Sequence, residues 1–166
     1  MRADVRVFYR DDIVLLASWR DLFIQRWMGE GTPDHVARMF DSHRRFVQGH
    51  PARATVALSH VSTPAIKPPD ERSRKLMRDY VAGMKDIRAV ATVIDASGFG
   101  AAMVRGIVSG LVLLTQRDIV HAVHSTLRDG LTFLVRYRAP GASPVTVDEL
   151  EGIYASICGA APTRGT

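Results

Sequence analysis

From residue 54 onward, short β-branched and apolar runs alternate with longer segments whose apolar residues recur every three or four positions, and this alternation restricts the fold more than any other feature. Strand side chains repeat every two residues and an amphipathic helix every 3.6, so the two patterns separate. ATVALSHV (54–61), RAVATVI (88–94) and IVHAVH (119–124) read as strands, and segments near 70–86, 100–116 and 126–136 read as helices. STPAIKPP (62–69) is too rich in proline to continue a strand and is expected to be a loop. The resulting β-α-β-α-β-α order predicts an α/β fold with crossover units, a largely parallel sheet in this part, and helices covering it.

The first 28 residues differ. Val5, Val7 and Tyr9 alternate with charged residues, Asp11-Asp12 punctuates, and IVLLASW (13–19) and LFIQRWM (22–28) follow around Arg20-Asp21. A meander of up to three antiparallel strands is expected. Thr32-Pro33-Asp34 is a helix start, with Thr32 as N-cap, Pro33 at the first helical position and Asp34 near the positive end of the dipole. Val36, Met39, Phe40, His43, Phe46 and Val47 then draw one apolar stripe, ended by Gly49-His50-Pro51. Residues 1–138 are expected to form the domain. Residues 139–166 are expected to supply a connector, a short helix opened by a Thr146/Glu149 capping box, and a flexible tail. That C-terminal helix carries Leu150, Ile153, Tyr154 and Ile157 on one face. It must bury them on its own domain or on a second subunit, the first being the usual fate.

Composition narrows the function classes. The longest apolar candidate, Gly106 to Thr115, lies between Arg105 and Arg117 and is too short to cross a bilayer, so no membrane insertion is expected. The N-terminus has no apolar export segment, which makes a cytoplasmic location the expectation. Cys158 stands alone, excluding an internal disulfide and a multi-cysteine zinc site. The formal charge is +5, but the basic residues are spread along the chain, and the densest cluster, ERSRKLMR (71–78), has no aromatic residue to stack on bases. No nucleic-acid partner is expected. His121 and His124, three apart on a strand, point to opposite faces and cannot share a metal. No metal or cofactor site is expected.

The turn DASGFG (95–100) sits where an α/β fold places ligands, between a strand end and a helix N-terminus whose amides attract anions. Ser97, Gly98 and Gly100 are the candidate ligand-binding or anion-binding residues. The pattern meets none of three known motifs: Met103 replaces the third glycine of a dinucleotide fingerprint, no Gly-Lys-Ser/Thr follows, and Asp95 replaces the first glycine of a hydrolase elbow. Ala102, Gly106 and Gly110 recur every four residues, so the same region also reads as a smooth packing stripe, with Ser97 as a helix cap.

The strand pair IVLLASWRDLFIQRWMGE, the helix opened by TPDHV, the strand ATVALSHV, the segment ERSRKLMRDYV, and RAVATVIDASGFGAAMVRGIVSGL followed by IVHAVHSTLRDGLTFL together resemble the STAS-like family, the fold of bacterial anti-sigma-factor antagonists, over residues 13 to 137. The resemblance implies a single mixed sheet and a non-catalytic regulatory domain that binds another protein in the bacterial cytoplasm. In the antagonist branch it also implies a phosphorylated serine after the strand that follows the first helix. DASGFG follows a later strand and carries Ala96 where that serine would stand, so Ser62 or Thr63 is the candidate acceptor. Arg72, Arg74 and Arg78 are the candidate partner or phosphate contacts. The alternatives are a small-molecule or lipid binder using an apolar pocket beside Ser97, and a hydrolase using Ser97. Phe8, Tyr9, Trp19, Phe23 and Trp27 are too many for one sheet face, which suggests a homodimer contact.

Overall fold

The structure is a computed structural model that describes residues 4–62, 70–83, 86–95, 102, 105–106 and 119–159. Its sheet has six strands: β1 (Val5–Arg10), β2 (Val14–Trp19), β3 (Leu22–Trp27), β4 (Thr55–Val61), β5 (Ile87–Ile94) and β6 (Val120–His124). They lie in chain order across the sheet. The first three are antiparallel, and β3, β4, β5 and β6 are mutually parallel. The described helices are α1 (Pro33–Val47), α2 (Glu71–Gly83), α3 (Leu127–Tyr137) and α4 (Val147–Cys158). This is the expected mixed α/β sheet with helices packed on it.

Local chemistry explains the boundaries. The Asp11 carboxylate closes the β1–β2 turn by accepting from the amides of Ile13 (2.9 Å) and Val14 (2.7 Å). Its second oxygen takes the Tyr9 hydroxyl (2.7 Å) and His35 Nε2–H (3.0 Å). Burial works to raise this carboxyl's pKa, but the Val14 amide, Tyr9, the Ile13 amide and His35 together outweigh it and hold the group well below the usual carboxylate range. At α1, Thr32 caps as expected, and the reciprocal arm of the capping box is His35, whose Nδ1 accepts from the Thr32 amide at 3.0 Å. Thr146 caps α4 by accepting from the Glu149 amide at 3.1 Å.

Two apolar layers flank the sheet. On one side, Val14, Leu16, Phe23, Trp27, Ala57 and Val90 meet Val36, Met39 and Phe46 of α1, with Leu76, Met77 and Tyr80 of α2 packed against them. On the other, Leu15, Ile24, Leu58, Ala91 and Val93 meet Leu131 and Leu134 of α3 and Leu150, Ile153, Tyr154 and Ile157 of α4. The C-terminal helix therefore docks on its own domain, and Cys158 is buried in that layer. α3 approaches β5 closely because Gly130 has no side chain: a Cβ there would stand 2.4 Å from Val93 Cγ2.

The crowded N-terminal aromatics are resolved within the chain. Trp19 belongs to the α3/α4 side and Phe23 and Trp27 to the α1/α2 side, while a register shift between Val7 and Tyr9 accompanies packing of both Phe8 and Tyr9 on the α1/α2 side. The crowding that suggested a homodimer is thereby relieved. Among the described residues, the exposed large hydrophobics are Val7 and Val120, one on each edge strand. No described helix is long and apolar enough to cross a membrane.

Candidate functional site

The carboxyl ends of parallel strands, with helix starts beside them, are where open α/β sheets gather chemistry. Strand alternation places Arg26 of β3 and His60 of β4 at this edge, on the α3/α4 side, as direct partners in the parallel register. Asp95 follows Ile94, the last residue of β5, and α4 contributes Tyr154.

His60, Asp95 and Tyr154 converge in a hydrogen-bonded chain. The Tyr154 hydroxyl donates to His60 Nδ1 in a short contact, and His60 Nε2–H donates to the Asp95 carboxylate at 2.9 Å. One neutral imidazole tautomer satisfies both contacts. His60 and Tyr154 are buried, whereas the Asp95 side chain is 45% exposed. Burial lowers the His60 pKa, partly countered by Asp95. Burial, then the neighbouring Cys158 thiol, pushes the Tyr154 hydroxyl well above its ordinary value. The chain thus runs from a neutral interior to a carboxylate at the water boundary. It can orient groups and pass a proton, but its tyrosine end is buried and hard to ionise.

Arg26 and Ser62 continue the edge. Arg26 Nε donates to Ser62 Oγ at 3.1 Å, and the Ser62 hydroxyl donates to the Trp27 carbonyl at 3.3 Å. Ser62, one of the two candidate phospho-acceptors, is half-buried and bonded to Arg26, while Arg72, Arg74 and Arg78 lie exposed on α2. Arg105, helical in the described residues, donates to the Ile94 carbonyl at 3.0 Å. Thr63, Ser97, Gly98 and Gly100 lie outside the described residues.

His121 and His124 separate as expected. His121 Nε2 meets Thr92 Oγ1 at 2.8 Å, whereas the His124 ring packs 5.3 Å from Phe133 of α3. Among the described residues, no group of three or more His, Cys, Asp or Glu side chains is arranged to hold a metal.

Sequence reasoning missed Arg26, His60, Asp95 and Tyr154 as a unit. His60 and Tyr154 are 94 residues apart, and only the docking of α4 joins them. A signal was present: Arg26 and His60 continue the strand faces of Leu22 and Ile24 and of Val56 and Leu58, where a buried polar group needs a partner. No family model, curated protein or solved structure matches the chain.

Proposed function

We propose that the chain is a non-catalytic regulatory or protein-interaction domain of STAS-like type, acting in the bacterial cytoplasm through the carboxyl edge of its sheet and the exposed basic face of α2. The observation that carries this proposal is the mutual satisfaction of the proton-handling groups at that edge. Both His60 nitrogens are occupied, Tyr154 is buried with its hydroxyl committed to His60, and Asp95 alone faces water. Such a network fixes α4 against the sheet and holds the edge rigid. A rigid edge, together with the exposed Arg72, Arg74 and Arg78 of α2 on the other face of the sheet, suits recognition of an acidic protein surface.

The test pairs affinity capture by the full chain with a substrate screen. A regulatory domain captures one partner at defined stoichiometry, loses it in the triple variant Arg72→Glu/Arg74→Glu/Arg78→Glu, and retains it in Asp95→Asn. Turnover of an ester, amide or phosphoester that disappears in His60→Ala, with the fold intact by circular dichroism, would overturn the proposal.

A further inference from the structure

At the opposite end of the sheet, an open cleft of about 780 Å³ lies between the start of β1, the β2–β3 turn, the C-terminal end of α1 and residues 138–143. Its lining combines two chemistries. Phe8 and Pro140 supply apolar surface, with the buried Phe46 behind them, and Arg6, Arg20 and Arg45 supply cationic groups.

The charges do not cancel. Arg138, also in the lining, is committed to Asp21 through Nε (2.9 Å) and a second short contact, and Arg20 is offset by Asp4 at 3.5 Å. Among the described residues Arg6 has only the Phe8 ring, 4.7 Å away, and Arg45 has no carboxylate partner. Two guanidinium groups are thus left over beside the half-buried Phe8 ring. The wall is held in place by the His50 ring, whose N–H can donate to the carbonyl of Phe46 (2.8 Å) or of Arg20 (3.1 Å), and Arg20 itself adopts a left-handed φ of 51°.

We propose that this cleft binds a small phosphorylated molecule with an aromatic body, of the nucleoside monophosphate class. Its phosphate meets Arg6 and Arg45, and its ring lies against Phe8 and Pro140. Two arginines match the dianionic phosphate, the fork geometry of guanidinium suits its oxygens, and the volume suits a ligand of this size. The site lies at the amino ends of the parallel strands, away from the Tyr154–His60–Asp95 edge, and stands independently of the proposal above.

Calorimetric titration of the full chain with adenosine 5′-monophosphate and with phenyl phosphate, against adenosine and phenol as uncharged controls, tests it. Both phosphates should bind at least about tenfold more tightly than their controls, a difference of ~1.4 kcal/mol. Arg6→Glu/Arg45→Glu should lose that advantage, while Arg38→Glu/Arg136→Glu, on α1 and α3 outside the cleft lining, should keep it. Both arginine pairs are exposed, and thermal melting checks that each variant folds. Absence of binding by both phosphates at millimolar concentration, equal binding of phosphate and control, or an equal loss in the two charge-reversed variants would overturn the assignment.

Discussion

Replacing Tyr154 with Phe removes one oxygen and leaves the ring, so the loss falls on the contacts of the hydroxyl, the bond to His60 first and the neighbouring Cys158 thiol second. Tyr154 is 5% exposed and His60 4%, so water cannot readily replace the lost donor at His60 Nδ1. Leaving a buried acceptor unpaired costs about 1–3 kcal/mol. In a domain of this size that corresponds to a melting temperature lower by about 2–4 °C for each kcal/mol. Urea denaturation followed by circular dichroism at neutral pH measures it, as a fall in midpoint at unchanged slope. Asp95→Asn should cost less, below about 1 kcal/mol, because the Asp95 side chain is half in water. A double-mutant cycle with His60→Leu should return a coupling of about 0.5–3 kcal/mol. A Tyr154→Phe protein within ~0.3 kcal/mol of the parent, or a cycle with no coupling, would refute the claim that this bond fastens α4 to the sheet.

Three further outcomes follow from the packing. His43 is buried between Phe23, Phe46 and Tyr80, with Nε2 unpartnered among the described residues and its pKa pushed down by burial to about 4. The unfolded chain therefore takes up the proton first: stability is full above pH ~6.5 and falls toward pH 4, by about 2 kcal/mol at pH 5 for this residue, and His43→Leu should flatten that part of a denaturation series against pH. Arg138→Met, which strands the mostly buried Asp21 carboxylate, should cost about 3–5 kcal/mol in chemical denaturation. Gly130→Ala should lose about 1–3 kcal/mol to overpacking against Val93, offset by up to ~1 kcal/mol of helix propensity, and Val93→Ala in the same chain should recover part of the deficit.

The fold is legible in the chain wherever a local rule governs. Thr32-Pro33 marks the start of α1, the period-two runs mark the strands, and the α4 stripe of Leu150, Ile153, Tyr154 and Ile157 is the stripe that is buried. The distribution of aromatics over two faces was not legible, because strand alternation says that Trp19 and Phe23 differ in side without saying that both sides are covered. The bulge that accompanies Phe8 and Tyr9 packing together is likewise invisible to a period-two count. At the candidate site the limit is separation along the chain. Arg26, His60, Asp95 and Tyr154 meet only once three parallel strands are in register and the last helix is docked. Asp95 drew notice as a misfit in a glycine motif, whereas its role is to receive the His60 hydrogen bond from the adjacent strand.

Because the spatial sequence of strands repeats their order in the polypeptide, each new strand emerging from the ribosome finds its neighbour already made. Growth of the sheet needs no late insertion between existing strands, and the α1/α2 layer can assemble as synthesis proceeds. The reverse side is different. Leu15, Ile24 and Leu58 wait for segments translated some seventy or more residues later, so an unfinished polypeptide presents a bare, greasy surface until Cys158 has cleared the exit tunnel. Stalled synthesis short of that point should yield a species that sticks to chaperones, and this half of the molecule is where the cost of interruption is concentrated.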